Sequence, residues 1–173
     1  MELTNKKILV TFFSHTGENY FGGKIVDIEK GNTHILAEYI ADICGADMFE
    51  IKPVKEYSHS YTPCTEEAKE ELRANARPEL AKDIDISAYD VIFIGFPNWW
   101  GTMPMPVWTF LENHDFTGKV VLPFCTHEGS RMGNSEKDLS KLVTGATLKK
   151  GLPIQGSYVK NAKDDVAKWL EEV

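Results

Sequence analysis

The chain has 173 residues, of which 42% are hydrophobic and 26% are charged, a composition that fits one domain with a single core and excludes intrinsic disorder. Its formal net charge of −7 comes without a basic cluster. Binding to phosphate backbones needs concentrated Lys and Arg, so we expect no nucleic acid partner. The N-terminus lacks the anatomy of a signal peptide, and no apolar run reaches the roughly 18 residues that span a bilayer. We therefore expect a cytoplasmic protein with no membrane partner.

The cysteines and histidines predict neither a disulfide framework nor a metal site. Cys44, Cys64 and Cys125 are odd in number, lie far apart and form no C-x-x-C pair. The five histidines show no spacing typical of metal ligands. This pattern indicates reduced thiols in a cytoplasmic protein.

The first element is a strand over residues 8–13, where β-branched and aromatic residues follow one another without a charge. Such a run is typical of a strand buried on both faces, in the middle of a parallel sheet. The loop that follows is Ser14, His15, Thr16 and Gly17, at the carboxyl end of this strand. Open α/β sheets bind ligands at that end, and hydroxyls, a glycine and a helix N-terminus make an anion site. An ordinary turn is the alternative interpretation.

Residues 18–30 interrupt the expected strand-to-helix turn. They carry mixed charge and a Gly22-Gly23 pair, and only after them does a helix begin at Asn32 and Thr33 and end at Gly45. We interpret residues 18–30 as an insertion within the turn. A lid over a ligand and a neutral surface insertion remain open alternatives.

Further strands and helices alternate along the rest of the chain. Strands are predicted over residues 46–52, 90–96, 118–125 and 147–155, and helices over 65–75, after Pro104 and Pro106, from Ser135 and from Asn161. Residues 53–64 are predicted as a loop. Five strands alternating with five helices predict an α/β protein with a three-layer, doubly wound parallel sheet.

Three loops should meet at one edge of this sheet, because parallel strand ends of one polarity lie together. Beside the first loop, the third strand is followed by Pro97, Asn98, Trp99, Trp100 and Gly101. The fourth strand is followed by Thr126, His127, Glu128, Gly129 and Ser130. Each indole can bury about 150–250 Å² against a partner. Two adjacent tryptophans at the ligand-binding edge favour a flat aromatic ligand, and a cover over the core is the alternative.

These loops carry a family resemblance that covers nearly the whole chain. The S-H-T-G of residues 14–17 and the N-T of residues 32–33 resemble the two ends of the flavodoxin phosphate loop. P-N-W-W-G-T-M-P-M-P, residues 97–106, resembles the flavin-ring loop of flavodoxin-like proteins with a double tryptophan, and T-H-E-G-S, residues 126–130, resembles the third flavin loop.

The resemblance implies one flavodoxin-like domain over residues 1–173, with five parallel strands in the order 2-1-3-4-5. It also implies FMN as cofactor and electron transfer with redox partner proteins. The cofactor-binding residues implied are Ser14, His15, Thr16, Gly17, Asn32, Thr33, Pro97, Asn98, Trp99, Trp100, Gly101, Thr126, His127, Glu128 and Gly129. We expect a low-potential one-electron carrier, because an acidic protein with indoles on the flavin disfavours added negative charge.

Three other functions stay open at this point. An FMN-dependent NAD(P)H or quinone reductase uses the same fold, and fold does not decide function. Cys125 and Arg131 have the C-x5-R spacing of a phosphatase nucleophile and its phosphate-binding arginine, although Cys125 follows an apolar run typical of a buried thiol. The third alternative is an interaction module without turnover. His127 and Glu128 are candidates for tuning the protonation of the flavin.

Overall fold

The computed structural model describes residues 3–173 as strands alternating with helices. In chain order the elements are β1 (Ile8–Phe12), β2 (Gly17–Phe21), β3 (Lys24–Ile28), α1 (Asn32–Cys44), β4 (Asp47–Glu50), α2 (Tyr61–Arg73), β5 (Val91–Pro97), α3 (Met105–Glu112), β6 (Val120–His127), α4 (Ser135–Leu142), β7 (Thr147–Leu148), β8 (Leu152–Gln155) and α5 (Lys163–Glu172). A 3-10 helix, Gly156–Asn161, joins β8 to α5.

The main sheet is parallel and confirms the predicted strand order. Its strands run β4-β1-β5-β6, and β7 and β8 both pair with the outer side of β6. The predicted fifth strand, residues 147–155, is therefore present as two short strands. The break lies opposite Pro123, which has no N–H to donate, and Gly151 packs so closely there that a Cβ would lie 3.1 Å from Pro123 Cγ.

The central strand β1 is buried on both faces, as its apolar run predicted. Leu9 and Phe13 pack with α3 through Val107 and Phe110, whereas Val10 on the opposite face packs with α1 and α5. Successive side chains of a strand point to opposite faces, so one uncharged run supplies both hydrophobic layers. The result is a three-layer arrangement that holds the carboxyl ends of β1, β5 and β6 side by side.

The insertion at residues 18–30 folds as an antiparallel hairpin of β2 and β3, separate from the main sheet. Its two-residue turn is Gly22-Gly23, and both glycines have positive φ, 58° and 88°. A tight hairpin turn requires this backbone conformation, which glycine adopts without strain. The hairpin strands lack the alternating apolar pattern of a half-buried strand, because most of β3 is exposed.

Several predicted boundaries were wrong. Strand β6 covers Val120–His127 rather than residues 118–125, so Thr126 and His127 belong to the strand and not to the loop after it. Helix α2 begins at Tyr61, so the end of the predicted loop 53–64 is helical. Pro63 is compatible with this start because the N–H groups of a first turn have no partner within the helix. Helix α5 begins at Lys163, after the 3-10 helix that contains Asn161. Within residues 3–173, no helix combines the length and apolar character needed to cross a membrane.

Candidate functional site

A cavity of about 460 Å³ opens at the carboxyl ends of β1, β5 and β6. Its volume lies within the roughly 300–1,000 Å³ range of small-molecule sites. The predicted site residues that line it are His15, Asn32, Pro97, Asn98, Trp99, Trp100, Gly101, Thr126, His127 and Glu128. Ser14, Thr16, Gly17, Thr33 and Gly129 do not line it. The three predicted loops therefore meet, and each contributes to one cavity.

The N-terminus of α1 lies beside this cavity, because the end of β1 and the start of α1 remain in contact despite the inserted hairpin. The N–H of His34 donates to Ser14 Oγ at 3.2 Å, so a residue from the end of β1 caps the helix. Gly31 precedes the helix and allows this approach, since a Cβ there would lie 1.9 Å from Ser14 Oγ. The first helical residue, Asn32, lines the cavity, and the first turn has no acidic residue. This arrangement favours an anion.

The hydroxyl groups predicted for this end of the cavity differ in their surroundings. Thr33 Oγ1 and Thr126 Oγ1 are buried and form a hydrogen bond of 2.7 Å, which ties α1 to the end of β6. Ser14 serves as the cap described above, and Thr16 is exposed. The hydroxyl of Thr33 is thus bonded within the protein. The sequence had suggested instead that it would bind the cofactor.

The two adjacent tryptophans have different environments. Trp99 is half-buried against the core, edge-on to Phe13 and Tyr57 at ring-centroid distances of 5.1 and 4.9 Å. Trp100 is 51% exposed and has a positive φ of 55°. Its Nε1–H donates to the carbonyl oxygen of Thr65 at 2.9 Å, which fixes the exposed indole at the cavity wall. Trp99 thus forms an inner wall of the cavity, and Trp100 forms its outer rim.

Asn98 joins the second and third loops through both ends of its amide. Its Nδ2 donates to the carbonyl oxygen of Arg131 at 2.9 Å, and its Oδ1 accepts from the N–H of Gly101 at 2.9 Å. Its backbone N–H donates to the carbonyl oxygen of Thr126 at 2.9 Å. These bonds fix the orientation of the tryptophan loop relative to β6.

His15 contacts both the hairpin and the loop before α2. Its Nε2 lies 3.0 Å from the carbonyl oxygen of Ser58, and its Nδ1 lies 3.3 Å from Asn19 Nδ2. Burial lowers the pKa of His15, although these hydrogen bonds oppose the shift. The neutral imidazole is therefore favoured at this wall of the cavity.

His127, the last residue of β6, and Glu128, the first residue of the third loop, are held by different partners. His127 Nδ1 accepts from the N–H of Gly129 at 2.9 Å, and burial, with a smaller contribution from Arg131, lowers its pKa. Glu128 accepts from the N–H of Ser157 at 2.8 Å and from the N–H of Gly22 at 3.3 Å. Glu128, which the sequence analysis predicted to bind the cofactor, thus also binds the tip of the hairpin.

Two walls of the cavity were missed by the sequence analysis. The hairpin and α2 contribute them, together with one glycine after β8, and the residues are Glu18, Asn19, Tyr20, Tyr61, Cys64, Thr65, Ala68 and Gly156. The available signal was the position of the insertion, which directly follows a strand end where parallel sheets bind ligands. The lid alternative gains support from this placement.

The structure argues against a phosphatase nucleophile at Cys125. Its side chain is fully buried, and burial raises the pKa of the thiol. A nucleophilic cysteine needs a lowered pKa and access to substrate, and Cys125 has neither. Arg131 is exposed, and its carbonyl oxygen lies 3.5 Å from the Cys125 sulfur.

Over residues 3–173, no group of three or more His, Cys, Asp or Glu side chains is arranged to hold a metal ion. The cavity lining combines hydroxyls, side-chain amides, imidazoles and aromatic rings with the N-terminus of α1. The carboxylates of Glu18 and Glu128 also line it, and each accepts a hydrogen bond from a backbone N–H group. Such a set suits an organic ligand with an anionic end and a flat ring system.

The flavodoxin family model matches residues 7–173, and the chain belongs to the flavodoxin family. No curated protein matches it. The chain is similar to the crystal structure of a provisionally named flavoprotein from Bacteroides uniformis, with 30% identity over 96% of this chain and 98% of that one and a TM-score of 0.76.

Two more distant structures share the fold. A flavoprotein in complex with FMN from Lactobacillus acidophilus is 23% identical over 90% of this chain and 97% of that one, with a TM-score of 0.64. An apo NADH:FMN oxidoreductase, EMOB, is 14% identical over 96% of this chain and 85% of that one, with a TM-score of 0.56.

Proposed function

We propose that this protein binds FMN in the cavity and carries single electrons at low potential between redox partner proteins. One observation supports this most directly: the N-terminus of α1 and the indoles of Trp99 and Trp100 border the same cavity. The first suits a phosphate and the second suits a flat ring. Membership of the flavodoxin family and the FMN complex of a relative support the same cofactor.

The residues of the cavity fit the two ends of FMN. At the phosphate end, the first turn of α1 offers backbone N–H groups and the positive end of the helix dipole, with Ser14 and Asn32 beside them. At the ring end, Trp99 and Trp100 would contact the isoalloxazine, with Thr126 and His127 along its edge. Bound FMN would supply reversible uptake and release of electrons.

Residues around the cavity and the net charge of the chain set the reduction potential of a bound flavin. The half-buried Trp99 excludes water from one side of the site, and its neighbours Phe13 and Tyr57 hold it in place. A net charge of −7 and apolar indoles disfavour additional negative charge in the cavity. Both effects lower the reduction potential of a bound flavin, which makes the protein a strong electron donor.

The partners that we propose are redox proteins, because the indole of Trp100 both lines the cavity and reaches the protein surface, where a partner can come close to the flavin. The acidic character of the chain favours partners with a basic patch, since opposite charges accelerate encounter. The free thiols of Cys44, Cys64 and Cys125 support the cytoplasm as compartment.

The test is stepwise reduction of the FMN-loaded protein without oxygen, followed by visible absorbance. A one-electron carrier is expected to show a long-wavelength band that rises and then falls, with two resolved potentials. A single two-electron step would contradict the carrier proposal, and failure of FMN to bind would contradict the cofactor as well.

A two-electron NAD(P)H or quinone reductase is the second candidate, and one observation favours it. The cavity extends from the tryptophan loop along α2 to Tyr61 and Ala68 and across to Tyr20 on the hairpin. These side chains form an additional wall against which a second flat ligand would pack. NAD(P)H consumption that depends on an added quinone, in the FMN-loaded protein, would support this candidate over the carrier.

A further inference from the structure

The β2–β3 hairpin is attached to the rest of the protein at its base by the segment before α2. The N–H of Tyr61 donates to Glu18 Oε2 at 2.7 Å, and the N–H of Glu18 donates to the carbonyl oxygen of His59 at 2.8 Å. On the second strand, Asp27 Oδ2 lies 2.8 Å from His59 Nε2. Both strands are therefore fixed to the same short segment, on one side of the cavity.

The tip of the hairpin is attached on the opposite side, through the carboxylate of Glu128. The N–H of Gly22 donates to Glu128 Oε2 at 3.3 Å. The other bonds of that carboxylate lie on the body of the protein: the N–H of Ser157 at 2.8 Å, Ser157 Oγ at 3.4 Å and Gln155 Nε2 at 3.3 Å. One carboxylate thus joins the hairpin tip to the 3-10 helix.

This attachment lies at the end of the cavity where α1 begins. A Cβ on Gly156 would be 2.5 Å from Asn32 Nδ2 and 3.0 Å from Glu128 Oε1, so Asn32 and Glu128 border the same glycine. Asn19 and Tyr20, on the inner part of β2, line the cavity between the two attachments. The hairpin therefore passes across the cavity at the end that suits a phosphate.

We propose that Glu128 is a positioning residue that latches the β2–β3 hairpin over the phosphate end of bound FMN. Release and uptake of the cofactor then require the Gly22–Glu128 bond to break and the tip to swing away. The proposal rests on FMN as the occupant of the cavity, as proposed above.

The hairpin is suited to such opening because its own stability is low. An isolated two-stranded hairpin is marginally stable in water, and this one does not pair with the main sheet. Its second strand is largely exposed, and the tip is held by a hydrogen bond rather than by buried side chains. Loss of that bond removes the main restraint on the tip.

The first test compares Glu128→Gln with the unmodified protein. The glutamine amide keeps one acceptor oxygen, which the N–H of Ser157 occupies, and presents its NH₂ group to the Gly22 N–H, where no bond can form. Removing a negative charge beside the phosphate would by itself slow the loss of FMN. Dissociation that is roughly tenfold faster, about 1.4 kcal/mol, is therefore expected only from release of the latch. Glu29→Gln, the same change at an exposed residue just after β3, is the matched control and is expected to leave the rate unchanged.

Limited trypsin digestion of the FMN-free protein gives a readout that does not depend on the cofactor. Lys24 follows the hairpin tip, and cleavage after it requires the backbone to leave the closed position. Faster cleavage at Lys24 in Glu128→Gln than in Glu29→Gln is expected, with matched thermal unfolding showing that the variants remain folded. Equal cleavage rates in these two variants would contradict the latch.

The second test locks the tip covalently. A Cβ on Gly22 would lie 3.6 Å from Ser157 Cβ, within the Cβ–Cβ range of about 3.5–4.5 Å for disulfides. Cysteine at position 22 is strained by the positive φ of 58° in both redox forms, so the comparison is made within one variant. In the double variant Gly22→Cys/Ser157→Cys, FMN uptake by the oxidised apoprotein is expected to be at least roughly tenfold slower than after reduction with dithiothreitol. Equal uptake in both forms would overturn the latch.

These outcomes separate the latch from the proposed cofactor. If the unmodified protein fails to bind FMN, the cofactor proposal fails, and digestion at Lys24 still decides whether Glu128 holds the hairpin. If FMN binds but its rates change neither on substitution of Glu128 nor on locking, the latch alone is wrong.

Discussion

The indole of Trp99 meets the phenol ring of Tyr57 edge-on, with ring centroids 4.9 Å apart and ring planes at 90°. Tyr57 is itself held by a hydrogen bond from its hydroxyl to Glu71 on α2. The orientation of Trp99 thus depends on α2 as well as on its own loop.

The two tryptophans are expected to differ in their contribution to stability. Trp99→Ala should lower the free energy of unfolding of the FMN-free protein by about 3 kcal/mol, because it removes an aromatic side chain packed against the core. Trp100→Ala should cost about 1 kcal/mol, since the residue is 51% exposed and the change removes one hydrogen bond and the contact of the ring with the Lys69 ammonium. Urea unfolding measures both, and equal losses would contradict the assignment of wall and rim.

Thr11→Val is expected to stabilise the protein. Thr11 lies in β1, is fully buried, and its Oγ1 has no hydrogen-bond partner among the described residues. Replacing this hydroxyl with a methyl group removes an unpaired buried polar atom, worth about 1 kcal/mol. Thr126→Val is the matched control, because its hydroxyl is bonded to Thr33, and it should destabilise by about 1–2 kcal/mol. Stabilisation in both variants would show that hydrophobicity alone explains the effect.

Ser14→Ala is expected to weaken the N-terminus of α1. The substitution removes the acceptor for the N–H of His34, and loss of a capping side chain costs about 1 kcal/mol. Thermal unfolding of the FMN-free protein should show the decrease, and FMN affinity should fall as well if the phosphate binds beside this residue. Ser60→Ala is a suitable comparison, because Ser60 precedes α2 without a side-chain capping bond, and it should leave stability nearly unchanged.

Stability is expected to fall as the pH drops below the ordinary histidine pKa of 6.5. Burial lowers the pKa of His15 in the folded protein, so between the two values the unfolded chain binds more protons and stability rises with pH. The urea midpoint should therefore be lower at about pH 5 than at about pH 7.5, and His15→Gln should reduce this difference. An unchanged difference in His15→Gln would assign the pH dependence to other groups, of which His127 is the first candidate because burial lowers its pKa too.

The cysteines are expected to react in the order of their exposure. Cys44 is half-buried, and burial raises its pKa to about 11, whereas Cys125 is fully buried and its pKa is raised further. A thiol reagent applied to the native protein should modify Cys44 first and leave Cys125 unmodified until the protein unfolds. Mass spectrometry after partial labelling measures the order. Early labelling of Cys125 would reopen the phosphatase interpretation.

The sequence was sufficient to predict those parts of the molecule whose structure depends on a short run of neighbouring residues. The uncharged run in β1 predicted a strand buried on both faces, and Gly45 predicted the end of α1, where it adopts a positive φ of 63°. Three strand ends predicted the position of the cavity, because the topology of a parallel sheet brings them together.

The remaining features depend on contacts between distant residues. The hairpin strands have no clear alternation, because they pack on α2 and Glu128 rather than on the core. Thr33 resembled a phosphate ligand, but its partner, Thr126, lies 93 positions away. Each of these contacts joins residues that are far apart in the sequence, so a local sequence pattern does not predict it.

The capping of α1 by Ser14 does not involve the hairpin. Ser14 and His34 are 20 positions apart, yet their hydrogen bond closes the turn directly. Gly17 pairs with Ile28, so the segment leaves and re-enters the fold at neighbouring points. The entropy of closing a loop grows slowly with its length, so we expect the core to tolerate other segments between these points. The site is thus a natural position for grafting, where a new cover brings a different ligand preference to an unchanged sheet.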